Sequence, residues 1–232
     1  MPEMTFLVDE LTGALLLEGP DRVPTDMLDM LTERFGPGRE VGCARPITLL
    51  PPPQATDAEI ATSICVRVAG YYHGSLIEGP GRRSSALFQS CPLACDGCWV
   101  PHLHDPQGGV LVPVERLAAA LLDPAHDRDG VSLLGGEPMV QPEGLLALVR
   151  ALRARGCAHI LCYSGYTYEA LRRRACRHPA IGAVLDEIEM LVDGPYVKEL
   201  ADRAGPWTGS GNQRVLTLTT GVPVLWAAVA ER

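Results

Sequence analysis

Residues 90–99 read SCPLACDGCW and set Cys91, Cys95 and Cys98 in a C-x3-C-x2-C array. Three thiolates at this spacing can hold three irons of a 4Fe–4S cube and leave the fourth iron without a protein ligand. A four-cysteine cluster normally relays electrons, whereas an iron with an open position can bind and activate a second molecule. The array follows a strand-like run at residues 86–88, which places it on a loop at a strand end.

Outward from that loop the chain alternates. Residues 64–68 and 86–88 read as strands, and residues 114–122 as a helix behind Pro113. Residues 131–134 form a short buried strand that runs into Gly135-Gly136-Glu137-Pro138. Residues 144–155 carry Leu145, Leu148, Val149 and Leu152 at helical spacing and stop at Gly156. Strands are then expected at 160–163, 188–192 and 215–218, with a helix at 168–176. Alternating strands and helices imply parallel pairing through right-handed crossovers. The units are too few for an eight-stranded barrel, so an α/β fold with an open, partial βα barrel is expected, its chemistry on the loops at the C-terminal strand ends.

Residues 1–58 read as a separate piece. Residues 5–9 and 13–17 could form a hairpin, Thr25 could cap a helix through Phe35, and Pro51-Pro52-Pro53 makes a stiff linker. The expected organisation is a small N-terminal α/β appendage with its linker over 1–58, and a core domain over 59–232.

Composition narrows the classes. The 232 residues are 47% hydrophobic and 21% charged, which suits a globular protein with a substantial core. A net charge of −8 argues against nucleic acid as a partner, since phosphate binding needs clustered positive charge. Arg172, Arg173, Arg174 and Arg177 read as a solvated helix face. The N-terminus has no basic segment followed by an apolar one, and no window approaches the roughly 20 apolar residues of a membrane span. The expected location is the cytoplasm, where eight cysteines need not form disulfides.

Structural zinc competes with the cluster reading of the array. Zinc wants a fourth ligand, which His102 or His104 could supply. Cys43, Cys65, Cys157, Cys162 and Cys176 lack motif spacing and read as small buried hydrophobes. The glycines of Gly135-Gly136-Glu137-Pro138 allow a ligand close to the backbone, and the glutamate offers an acceptor to a cationic amine. By itself that segment is a tight turn. Beside the cysteines it suits an amino-acid-bearing cofactor chelated to the open iron.

The array with a downstream G-G-E-P resembles the radical S-adenosylmethionine superfamily. E-G-P-G-R-R (78–83), S-G-Y-T-Y-E-A-L (164–171), L-V-D-G-P-Y (191–196) and G-S-G-N-Q-R-V (209–215) occur in the order found in the activating proteins of anaerobic ribonucleotide reductases. The resemblance spans residues 70–219 and leaves the appendage unmatched. It implies that Cys91, Cys95 and Cys98 ligate one 4Fe–4S cluster. It also implies that Gly135, Gly136 and Glu137 line the methionine end of S-adenosylmethionine, Gly97 and Trp99 lie toward its adenine, and Ser164 lies toward its ribose. Asp193 either faces the cofactor or a nearby cation, or caps its own loop. No role is read for Asn212, Gln213 and Arg214.

The implied activity is reductive cleavage of S-adenosylmethionine to a 5′-deoxyadenosyl radical that installs a glycyl radical on a partner enzyme. A flavodoxin or ferredoxin would supply the electron. Gly97 stands where many radical enzymes carry an aromatic, with Trp99 after the cysteine, an arrangement that resembles the reductase-activating subgroup; Ser164 departs from the usual threonine but keeps the hydroxyl. No cysteine lies between Cys98 and Cys157 or after Cys176, so a second cluster is not expected. Two alternatives stay open. One is a radical enzyme that modifies another protein, a peptide or a small molecule. The other is a non-catalytic iron–sulfur or zinc module.

Overall fold

A computed structural model of the chain describes residues 5–8, 15–18, 47–218 and 223–226. The chain divides into two compact units, Met1–Thr48 and Leu49–Arg232. In the first, β1 (Thr5–Val8) pairs antiparallel with β2 (Leu15–Glu18), the hairpin expected from the sequence. The helix expected over 25–35 lies outside the described residues.

The second unit is built on one mixed sheet of eight strands. They are β3 (Cys65–Ser75), β4 (Arg83–Phe88), β5 (Val110–Pro113), β6 (Gly130–Gly135), β7 (Ile160–Ser164), β8 (Met190–Asp193), β9 (Arg214–Thr217) and β10 (Val224–Leu225). Their order is β10-β9-β8-β7-β6-β4-β3-β5, and among the described residues the two outer strands do not pair, so the sheet is open. The alternating sequence predicts parallel pairing, and β4, β6, β7 and β8 are parallel. Both flanks are antiparallel, β3 and β5 on one side and β9 and β10 on the other.

Helices α1 (Asp57–Thr62), α2 (Val114–Leu121), α3 (Pro142–Ala154), α4 (Tyr168–Ala175) and α5 (Pro179–Glu187) complete the unit. In α3, Leu145, Leu148, Val149 and Leu152 are fully buried, as their spacing predicts. Each such side chain stabilises the fold by roughly 1.5–3 kcal/mol through lost apolar surface. They join Val131, Leu133, Ile160 and Cys162 in the main core. The intervening residues of β7, Leu161 and Tyr163, point to the other face and pack with Met190, Val192 and Trp207. The strand period of two thus gives the sheet one helix-covered face and one face with its own smaller apolar cluster.

The parallel strands fix where the loops begin. Phe88 pairs with Gly135 and Ser164 with Asp193, so neighbouring strands end level with each other. Four loops therefore leave one edge of the sheet together: the cysteine loop, Gly136–Glu137, Gly165–Thr167 and Gly194–Val197. Among the described residues no helix is long and apolar enough to cross a membrane.

Candidate cluster site

The cysteine loop is seated against the loop after β6. Gly136 N–H donates to the Phe88 carbonyl at 2.8 Å, and Glu137 N–H donates to the Ser90 carbonyl at 2.8 Å. A Cβ on Gly136 would stand 2.5 Å from the Ser90 oxygen, so only glycine permits this approach. Ser90 (φ 79°) and Ala94 (φ 43°) hold left-handed backbone without being glycine. Such conformations persist where surrounding contacts over-determine them, and they concentrate at functional loops. Inside the loop, Cys98 N–H donates to the Cys95 carbonyl at 3.2 Å, and Cys91 N–H donates to the His104 carbonyl at 3.3 Å. The loop is a built object.

Cys91, Cys95 and Cys98 line one cavity of about 180 Å³, and Gly135, Gly136 and Ser164 line it with them. Six residues singled out from sequence are thereby brought to one space. Among the described residues no group of three or more His, Cys, Asp or Glu side chains gathers closely enough to hold a metal ion. Burial pushes the Cys91 thiol pKa up. A thiolate there needs positive charge from what it binds. All seven described cysteines are free. Cys157 and Cys162 are buried as expected, whereas Cys65 is half-buried and Cys176 is exposed.

Glu137 lies behind the cavity wall. Its carboxylate accepts from Met139 N–H (3.0 Å), Ser164 Oγ (3.0 and 3.1 Å) and Gly165 N–H (2.8 Å). The side chain has 0% exposure, and burial raises its pKa to about 7 against the pull of those donors. Glu137 therefore ties the β6 loop to the β7 loop and does not itself line the cavity. Asp193 is also fully buried. It accepts from Tyr168 N–H at 2.6 Å, at the start of α4, and from Arg214 Nε at 2.9 Å. Arg214 also bridges to Glu169 at 2.9 Å. Loop capping and charge compensation describe what Asp193 does in this structure.

Gly97 and Trp99 stand outside the cavity lining. Gly97 has φ 68°, and a Cβ there would meet Lys198 Cδ at 2.8 Å. Trp99 is 74% exposed, and its indole N–H donates to the Tyr196 hydroxyl at 3.3 Å. His104, read from the sequence only as a possible zinc ligand, and Gln213, for which no role was read, also line the cavity, as do Leu93, Tyr163 and Tyr196, which the sequence reading did not single out as site residues. Gln213 Oε1 accepts from Gly209 N–H at 2.7 Å, and its Nε2 donates to the Gly194 carbonyl at 3.0 Å. Asn212 Nδ2 donates to the Pro195 carbonyl at 2.8 Å. The G-S-G-N-Q-R segment thus fastens the loop after β8 to the entry of β9. Its signal was the motif itself, whose role depends on contacts that spacing does not reveal. A larger cavity of about 530 Å³ borders Arg153, Arg172 and Glu189, and none of the site residues read from the sequence lines it.

An open α/β sheet with a three-cysteine loop and a double-glycine loop at the shared edge of its parallel strands is the arrangement that a cysteine-ligated iron–sulfur site calls for. The family model of the 4Fe-4S single cluster domain matches residues 77–216, more than half of the chain. The anaerobic ribonucleoside-triphosphate reductase-activating protein of Salmonella typhimurium is 32% identical over 158 residues, covering 65% of this chain and 97% of that protein. Its Escherichia coli K12 counterpart is 31% identical, over 62% of this chain and 94% of that protein. A pyruvate formate-lyase-activating enzyme of Clostridium pasteurianum is 35% identical over 97 residues, covering 40% of this chain and 41% of that protein. The chain belongs to this 4Fe–4S, radical S-adenosylmethionine family of activating enzymes.

Proposed function

We propose that the protein activates an anaerobic ribonucleotide reductase by placing a glycyl radical on it. Supporting this are the near-complete coverage of the reductase-activating relatives and the one cavity shared by three cysteines and the double-glycine loop. That shared cavity is the observation that carries the reading. Bound together, a 4Fe–4S cluster and S-adenosylmethionine supply a 5′-deoxyadenosyl radical by one-electron cleavage of the sulfonium–carbon bond, and that radical takes a hydrogen atom from the substrate.

The chain's own residues position and shield. Cys91, Cys95 and Cys98 would hold three irons of the cluster, and with no fourth loop cysteine one iron would stay open to the cofactor. Gly135 and Gly136 let the cofactor's methionine end approach the backbone. Glu137 keeps that loop fixed to Ser164 and Gly165, and Ser164, which lines the cavity, would lie toward the ribose as the resemblance implies. Gly97 and Trp99 flank the last cysteine on the adenine side. Arg214 compensates Asp193, so the loop after β8 holds its shape without a bound cation. Read as the partial barrel that the resemblance implies, the open α/β sheet would leave a side through which a loop of a large partner could enter. A flavodoxin or ferredoxin would deliver the electron, in the reducing cytoplasm where the cysteines stay free.

The test is anaerobic reconstitution of the full chain followed by addition of S-adenosylmethionine and the partner reductase. The expected result is a 4Fe–4S signal perturbed by the cofactor, 5′-deoxyadenosine release, and a glycyl-radical resonance on the partner. Tightly bound zinc without cofactor cleavage would overturn the enzyme reading. Stoichiometric deoxyadenosine with a small-molecule product and no radical on the reductase would overturn the substrate. Cys95→Ala should lose the cluster; unchanged iron content would remove Cys95 from the ligand set.

A further inference from the structure

His104 lines the cluster cavity and carries a buried polar atom that has nothing to bond. Its Nε2 is buried and finds no hydrogen-bond partner among the described residues. The residue lines the same cavity as Cys91, Cys95 and Cys98. Buried polar atoms are rarely left orphaned, and each exception calls for a missing partner.

The imidazole is held there by the fold. His104 N–H donates to the Pro101 carbonyl at 3.1 Å, and the His104 carbonyl accepts from Cys91 N–H at 3.3 Å. The segment around it is clamped by Gln89 Nε2, which donates to the carbonyls of His102 (3.2 Å) and Asp105 (2.8 Å). Gln141 fixes Gln89 in turn by donating to its carbonyl at 3.0 Å. Leu103, fully buried, anchors the turn beside the histidine. A ring carried on so constrained a backbone is held in place by the fold.

An imidazole nitrogen can ligate a metal or donate a hydrogen bond. Ligation of the fourth iron would close the position that the proposed chemistry needs open. The donor role remains, and a cluster offers sulfide and thiolate acceptors. Hydrogen bonds to cluster sulfurs stabilise the more negative, reduced state and raise the reduction potential. Resting on the cluster reading above, we propose that His104 Nε2–H donates to a sulfur of the cluster and raises its reduction potential. His104 is then a positioning residue that eases entry of the electron.

The experiment uses the full chain reconstituted anaerobically, with His104→Phe, His104→Ala and His104→Gln beside the wild type. Iron and sulfide content and an EPR-monitored redox titration are read for each. The expected result is wild-type iron in all variants and a more negative cluster potential in both His104→Phe and His104→Ala. His104→Gln, which keeps an N–H donor, should recover part of the shift. An unchanged potential in whichever of the Phe and Ala variants folds and loads its cluster overturns the inference and leaves the functional reading standing. Loss of iron from folded variants, the Gln variant included, makes His104 a ligand and overturns it too. Failure of the wild type to assemble any cluster defeats the functional reading itself.

Discussion

Glu137 and Gly136 show how single residues govern the site from behind its surface. Glu137 satisfies three donor groups from two loops at zero exposure, and burial holds its pKa near 7. Glu137→Gln would turn an amide NH2 toward one of those donors and leave a buried N–H or O–H unpaired, at a cost of about 1–3 kcal/mol. The expected outcome is a lower denaturation midpoint for the cluster-free protein and weaker S-adenosylmethionine binding once the cluster is in place. Equal midpoints and equal affinities would separate Glu137 from the site. Gly136→Ala meets the Ser90 carbonyl at 2.5 Å, a backbone atom that cannot swing aside. It should displace the cysteine loop and lose most of the iron while the chain still folds, as read by iron analysis and far-UV circular dichroism.

At the scale of elements, the sequence is read well where local chemistry decides the outcome. Leu145, Leu148, Val149 and Leu152 announce α3, and the apolar run ending in Gly135 announces β6. The antiparallel flanks, the short strand β5 and the helix α5 were not expected. Helix α5 carries Gly182 and has no side-chain cap, so it forms through the packing of Ile181, Val184 and Leu185. Strand β4 begins earlier than expected because Arg83-Ser84-Ser85 looks like a polar loop. All three residues are buried, and Arg83 is accommodated by Ser132 Oγ (3.0 Å), the Val131 carbonyl (2.6 Å) and His159 Nδ1 (3.1 Å). Those partners lie some 50 to 76 residues away, beyond the reach of local pattern. The connection between β3 and β4 carries a testable pH dependence. Burial raises the Glu78 pKa to about 7, although Tyr72 OH donates to its carboxylate at 2.9 Å. The folded chain keeps this proton where the unfolded chain, near 4.5, has lost it. The contribution is full below about pH 4.5 and is lost as pH rises through about 7, because the native state binds more protons in that window. Each such group is worth at most about 1.4 kcal/mol per pH unit, less for partial exposure. Glu78→Gln should flatten the decline of unfolding free energy between pH 5 and pH 7. An identical slope in both proteins would place the titration elsewhere.

For the whole molecule, the eight-stranded sheet, its apolar clusters and the cluster cavity all lie within residues 49–232. The sequence reading ends the appendage and its proline linker at residue 58, whereas the chain divides between Thr48 and Leu49, so the proline run at residues 51–53 belongs to the second unit. The Salmonella relative is matched over 97% of its length by 65% of this chain, so about a third of the chain is additional to what that protein requires. A unit with its own core and a complete cluster loop should fold without residues 1–48. A chain beginning at Leu49 is therefore expected to unfold cooperatively, to take up iron as the full chain does, and to cleave S-adenosylmethionine when reduced. If residues 1–48 serve recognition of the partner, the shortened chain will release 5′-deoxyadenosine and yield little glycyl radical on the reductase. Parallel loss of both products would assign the segment to the catalytic unit, and undiminished radical yield would free it from any part in partner recognition.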